Sequence, residues 1–326
     1  MVAAAPNTTP VYFDCDTGVD DSLALAYLLR TDDVSIVGIG TVSGNVAAAD
    51  AATNTLRLLA LAGETNVPVA VGAHHPLTGS FGGGVPHVHG GNGIGNVDLP
   101  PSAREPISTT AAGLLIELSK EFAGSLDIIA VGPLTNLALA LREDPLLVDR
   151  VRSVTVMGGA ARVPGNISAV AEANIGADPE AAEQVINAGW DVTLVPLDVT
   201  LEDKFLEGDR QSLLHSGDPF ISALGRILDF YFDFHVPIYG HRASALHDAL
   251  AAAIATGGIE ATNCPAVPIT VDTSNGPGRG QTICDLRGQR FGPLDEPGSR
   301  TRVVLSTSGP FAPRLLRRLG VGTYTS

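Results

Sequence analysis

Two rhythms of apolar residues alternate along the chain. Short β-branched runs, PVYFDC (10–15), VSIVGIGTV (34–42), VPVAVG (67–72), LDIIAVG (126–132), SVTVMGG (153–159) and DVTLVPL (191–197), predict buried strands, several of them closed by Gly or Pro. Between them, DDSLALAYLLR, NVAAADAATNTLRLLALAG, TTAAGLLIELSKEFAG, NLALALRED and DPEAAEQVINAG carry Ala and Leu at helical spacing. Repeated β-α alternation predicts an α/β protein with an open, mostly parallel (mixed) sheet and helices on both faces. Past residue 200 the rhythm turns helical. It then gives VPITVD, GQTICDLRG and TRVVLS ahead of a closing helix, FAPRLLRRLG. No linker-like composition divides the chain, so a single domain over residues 1–326 with an appended C-terminal part is expected.

Composition narrows the class. With 326 residues, 44% hydrophobic and 17% charged, the chain buries a large core and is neither disordered nor fibrous. Twenty Lys and Arg against 35 Asp and Glu give a formal charge of -15, a field that repels phosphate backbones and argues against nucleic acid. Cys15, Cys264 and Cys284 form no CxxC spacing, which fits neither a disulfide framework nor a zinc cage and suits a reducing cytoplasm. The opening MVAAAPNTTP lacks a basic residue and a long apolar stretch, so no secretory signal is expected, and no run is long enough to span a membrane.

In open Rossmann-like sheets, ligands sit beyond the carboxyl ends of the strands. FDCDTGVDD puts Asp14, Asp16, Asp20 and Asp21 at the end of the first predicted strand and the start of the first helix. One Asp there is a common helix cap, but capping needs one carboxylate and not four. Like charges so close raise one another's pKa unless a cation compensates, and oxygen-only ligands suit Ca²⁺ or Mg²⁺ over zinc. An EF-hand fails, because counting from Asp14 the fifth and sixth positions are Gly18 and Val19. No Walker A loop or strand-linked GxGxxG exists. A phosphatase of the haloacid dehalogenase type shares the Asp14-Cys15-Asp16 spacing but has Gly18 where Thr or Val is expected.

Other polar groups fall at comparable strand ends: Asn45 in TVSGN, then Asn166, Glu172 and Asn174, and His247-Asp248 opening a late helix. Amides and carboxylates together suit the vicinal hydroxyls of a sugar. The Gly-rich stretch 74–96 reads as a functional loop. Its His87 and His89 form a possible metal pair without the rest of a zinc motif, so ligand contact is the favoured role. His235, His241 and His247 are spaced by six, and Pro237 is expected to interrupt any single helix joining them. Tyr231 and Tyr239 lie in an aromatic stretch that packs and could line a pocket.

Taken in order, FDCDTGVDDSLAL, TVSGN, VHGGNGIG, AVGPLTNLALAL, VMGGA, AEAN, PLDVT, LHDALA and RGQTICDLRG resemble the inosine-uridine preferring nucleoside hydrolase family over nearly the whole chain. The resemblance implies a Ca²⁺-dependent enzyme that splits the N-glycosidic bond of ribonucleosides, as a homodimer or homotetramer. It implies that Asp16, Asp21, Asp248 and the Val131 carbonyl hold Ca²⁺, that Asp16 is the base toward water, and that Asp14 stands behind them. Asp20, Asn45, Asn166, Glu172 and Asn174 would bind ribose, with Met157 packing nearby. His247 would serve as acid toward the departing base, with His89 close to it. Three positions depart from the family's habit: Thr17 for Pro, Val131 where Thr is common, and Gly91-Asn92 in place of an acidic residue. Histidine at 247 resembles the class that accepts inosine and uridine, whereas purine-specific relatives use tryptophan on the base, and Trp190 is the only one here. Broad or pyrimidine-tolerant specificity follows. A catalytically silent nucleoside-binding protein on the same fold is the alternative, against which Asp16, Asp21 and Asp248 argue.

Overall fold

The computed structural model describes residues 8–290, 292 and 294–322. Most of the MVAAAPNTTP stretch, residues 1–7, lies outside them. The β-branched runs form strands β1 (Thr9–Cys15), β2 (Val34–Thr41), β3 (Val69–Val71), β4 (Leu126–Ala130), β5 (Val151–Met157) and β6 (Val192–Val195), and TRVVLS contributes β7 (Thr301–Val303). They line up as β7-β6-β5-β4-β1-β2-β3 with every pairing parallel. Antiparallel ladders among the described residues form three separate two-stranded ribbons, and isolated antiparallel bridges join Ala171 to Gln281 and Ala266 to Arg302 on β7. The expected open α/β sheet in one domain is thus observed, with its mixed character outside the main sheet.

Strand order reverses between β1 and β4, where Asp14 pairs in register with Ala130 on one side and Gly40 on the other. The loops leaving these two strands diverge to opposite faces and open a crevice at their carboxyl ends. Tyr12 and Phe13, adjacent on β1, point into different buried clusters, as the two-residue period demands. On the Phe13 face pack helices α1 (Val19–Leu29) and α2 (Ala48–Leu61); on the Tyr12 face pack α3 (Ala111–Glu121), α4 (Thr135–Glu143) and α5 (Pro179–Ile186). The Phe13 face is completed by α6 (Pro219–Tyr239) and α7 (His247–Ala255). Full burial of side chains such as Phe13, Phe220 and Phe232 stabilises the fold by about 1.5–3 kcal/mol each.

Two expectations are corrected. Helix α6 runs through Pro237 and ends at Gly240 in the left-handed region, φ 75°. Pro237 lies in its last turn, where the lost N–H removes only the bond to Asp233 and the helix is about to stop. The HVH pair also does not assemble: His87 is exposed and meets Phe234, whereas His89 is buried. Among the described residues no helix is long and apolar enough to cross a membrane.

Candidate active site

Burial at the carboxyl edge is the first fact about the acidic cluster. Asp14, Asp16, Asp21, Asp248 and Glu172 are all at most 2% exposed, and among the described residues none of them makes an ion pair with Lys or Arg. By contrast Asp198, equally hidden in its side chain, is answered by Arg162. Burial pushes Asp14 up to about 7, against hydrogen bonds from Asn136 and Tyr12. Burial first and Asp20 second push Asp21 up to about 7. Asp16 and Asp248 are raised further from the ordinary carboxylate range, again by burial and then by neighbouring carboxylates. Protein charge does not compensate this cluster.

Local structure explains how the sequence holds it. Asp21, in the first turn of α1, folds back to accept the Asp16 N–H at 3.1 Å and the Gly18 N–H at 2.7 Å, so the β1–α1 turn is tied to its own carboxylate. Asn45 closes the other side, donating its N–H to Asp16 Oδ2 at 2.7 Å and its side-chain amide to Asp21 Oδ2 at 3.1 Å. Thr17, in place of Pro, hydrogen-bonds Thr55 on α2 at 2.7 Å. Asp14 turns to Tyr12 and to Asn136, whose amide lies 3.0 Å from Asp14 Oδ2 and 3.0 Å from the Thr41 carbonyl.

Three carboxylates, Asp20, Asp21 and Asp248, bring oxygen atoms within 4.8 Å of one another. Two buried oxygens beside them, Asp16 Oδ1 and Asp20 Oδ1, accept no hydrogen bond. Asp16 Oδ1 faces the backbone next to Val131, since a Cβ on Gly132 would come within 3.1 Å of it. A buried acceptor without a donor is costly, and two in an all-oxygen cluster fit a hard cation such as Ca²⁺. The Val131 carbonyl adds a further oxygen; it accepts the Asn174 amide at 2.9 Å and keeps a second lone pair.

Asn174 also meets the Met157 carbonyl at 3.1 Å, so these three residues stand together. Glu172 caps the helix Ala173–Ala177 through the N–H groups of Asn174 and Ile175 and takes the Gly159 N–H as well. Asn166 is not gathered in: it is exposed, and its backbone N–H bonds Ala171. His247 opens α7 beside Asp248, its Nδ1 held 2.8 Å from Thr200 Oγ1; burial pushes it down to about 4 and keeps it neutral near pH 7. His89 Nδ1 accepts the Val19 N–H at 3.1 Å, and its ring tilts against Tyr231 with centroids 5.3 Å apart. The Tyr231 hydroxyl reaches Asp20 Oδ2 at 3.5 Å. Tyr239, half-buried, stacks on His235 under Lys204.

The Gly-rich segment folds over this edge. At Gly84, φ 80°, a Cβ would sit 2.4 Å from the Asn45 carbonyl, so only glycine lets the segment approach. Leu77 donates its N–H to buried Asp178, which also takes Thr135 and caps α5. Asn92 folds the turn by accepting the N–H groups of Ile94 and Asn96. Beneath lies a cavity of about 210 Å³ lined by Ser43, Gly44, Phe81, Val85 and Pro133 among others. Trp190 is elsewhere, buried between α5 and β6 with its Nε1 bonded to the Val185 carbonyl.

The sequence reading did not assign Asn136, Asp178 or Thr200, the residues that orient Asp14, the loop and His247. The signals were present in GPLTN, in the Asp-Pro opening of α5 and in PLDVT.

Comparison with known proteins places the chain in a family. A profile of the inosine-uridine preferring nucleoside hydrolase family matches residues 11–310. Uridine nucleosidase 1 of Arabidopsis thaliana is 40% identical over 235 residues, 72% of this chain and 70% of that protein. A solved plant nucleoside hydrolase superposes with a TM-score of 0.87 at 31% identity, covering 95% of this chain and 98% of the other. A solved purine-preferring ribonucleoside hydrolase from Gardnerella vaginalis gives 0.85 at 31% identity, covering 95% and 96%.

Proposed function

Because the chain belongs to the inosine-uridine preferring nucleoside hydrolase family and is a ribonucleoside hydrolase, we propose that it works with Ca²⁺ and accepts both pyrimidine and purine ribonucleosides. The observation that carries the calcium reading is the pair of buried oxygens without a hydrogen bond, Asp16 Oδ1 and Asp20 Oδ1, in a carboxylate cluster that no Lys or Arg among the described residues joins and where the nearest imidazole, His89 at 3.9 Å from Asp20, has its pKa lowered by burial. Asp16, Asp21, Asp248 and the Val131 carbonyl would hold the ion, with Asp20 at the edge of the same cage. Bound there, Ca²⁺ supplies charge neutralisation and eases the ionisation of a water.

The chain's own residues do the rest. Loss of the base leaves positive charge on the ribose ring, and carboxylates beneath it favour that charge more in the transition state than in the ground state. Asp20, Asn45, Glu172 and Asn174 offer acceptors and amides for ribose hydroxyls, with Met157 as an apolar floor, and Asn166, exposed in its loop, would have to move to join them. Asp16, with one oxygen held by Asn45 and the other free, is oriented to take a proton. Neutral His247, its Nδ1 engaged by Thr200, keeps Nε2 for the departing base. His89, Tyr231 and Tyr239 line the approach.

Broad specificity rests on His247 at the cage and Trp190 buried far from it. The relatives' names support both directions, one a uridine nucleosidase and one purine-preferring. Three free cysteines favour a reducing cytoplasm, and the family resemblance favours a homodimer or homotetramer. Ribose release from inosine, uridine, cytidine and adenosine, with and without EGTA, tests the reading. Activity on one base class alone would refute the breadth, and EGTA-resistant turnover would refute the ion.

A further inference from the structure

Helices α1 and α7, whose first turns carry Asp20, Asp21 and Asp248, run to the amino edge of the sheet. Where they end, a concavity of about 510 Å³ is lined by Tyr27, Arg30, Asp32, Gly258, Arg314, Arg317 and Arg318. Four of the chain's 20 basic residues meet there, in a protein of charge -15. Arg314, Arg317 and Arg318 share one face of the closing helix Ala312–Arg318, where i, i+3 and i+4 cations repel one another.

Their partners are few. Arg30 pairs with Asp218. Arg314 donates to the Gly258 carbonyl at 3.3 Å and to Ser308 at 3.4 and 3.5 Å, long bonds all. Arg318 lies over the Tyr27 ring, 5.9 Å from its centre, and the Arg317 guanidinium has no partner among the described residues. Helix carboxyl ends attract cations, which favours Arg317 and Arg318 in the last turn of their own helix, but a seven-residue helix offers about half a charge to two full ones. Asp203 lies near enough to act on Arg314, and Asp32 stands on the rim, but among the described residues neither Arg317 nor Arg318 pairs with a carboxylate. Gly258 shapes the floor, since a Cβ there would sit 1.9 Å from the Tyr27 hydroxyl.

We propose that this concavity binds a small phosphorylated ligand. Guanidinium groups recognise phosphate oxygens in bidentate fashion, and a dianion matches the surplus charge where a single carboxylate would not. The protein's overall charge repels a polyanion, whereas a small anion inside the concavity is screened from it beyond about 8 Å in physiological salt. The site is separate from the catalytic edge and does not depend on the mechanism above.

Calorimetric titration of the calcium-loaded full chain with inorganic phosphate and with ribose 5-phosphate tests the proposal. Saturable one-to-one binding is expected that weakens steeply with salt and at least about tenfold in the R317A/R318A variant, with unfolding temperature and uridine hydrolysis unchanged. Arg317→Lys should retain part of the affinity. Tighter binding of ribose 5-phosphate than of phosphate would identify a sugar phosphate as the ligand; equal binding would identify the phosphoryl group alone as what is recognised. Absence of saturable heat at millimolar ligand would overturn the proposal. So would binding that survives the double substitution or is displaced by a nucleoside, since either puts the anion elsewhere.

Discussion

Asp21 and Asp248, in the first turns of two helices far apart in the chain, bring carboxylate oxygens within 4.8 Å of each other and of Asp20. Both are buried, which raises the pKa of each; Asp20 raises both further, and Asp21 adds to the rise at Asp248. Either residue alone would pass for an ordinary acidic first turn. Their meeting point, walled by α1 and α7 and open at the β1/β4 switch, is where the negative charge of the protein becomes useful.

Stability should depend on pH in a way that betrays the empty cage. In the metal-free protein burial holds Asp14 and Asp21 at about 7, against 3.8 in the unfolded chain. Folding therefore takes up protons, so this contribution is fully present below about pH 4 and is lost as pH rises through about 7. Urea midpoints of EGTA-treated protein should fall across that window. Added Ca²⁺ should flatten the fall, because it favours ionised Asp21. Superimposable curves with and without calcium would contradict the assignment.

His247 and Thr200 should act as a pair. His247→Ala is expected to lower kcat on inosine by about 10²–10⁴, the usual range for a general acid. Thr200→Val keeps the shape but frees Nδ1, and should cost about tenfold in kcat with KM nearly unchanged, roughly one hydrogen bond of orientation. Steady-state kinetics of both variants and of the double variant decide it. Additive losses would show that Thr200 does not work through His247.

Trp190 should matter to stability and not to the base. Trp190→Phe removes the Nε1 bond to the Val185 carbonyl, which keeps the Ala188 N–H at 3.4 Å, so the loss is that of one hydrogen bond, about 0.5–1.5 kcal/mol seen in denaturant unfolding. The ratio of kcat/KM for uridine and inosine should not change. A shifted ratio would bring Trp190 into base recognition.

Much of this was legible in the sequence because strong local signals carried it. Val- and Ile-rich runs marked six of the seven sheet strands, Ala-Leu spacing marked the helices between them, and the carboxylates of FDCDTGVDD cannot all be caps. What escaped depended on tertiary context. β7 joins β6 as a parallel edge strand after a long C-terminal excursion that breaks the β-α rhythm. Helix α6 continues past Pro237 because its C-terminus is only two residues away. Asp178 and Asn136 sit inside helical patterns that give no sign of a distant partner. Only the folded chain reveals that Asp178 holds the Gly-rich loop through Leu77 and that Asn136 holds Asp14.

Metal analysis of the purified protein, followed by ribose-release assays after EGTA treatment and after calcium return, bears most directly on the cage. One calcium per chain, activity lost on chelation and regained with Ca²⁺, and neither binding nor activity in Asp248→Asn is the predicted result. A fully active protein without metal, or an Asp248→Asn variant that still turns over uridine at the parent rate, would contradict it.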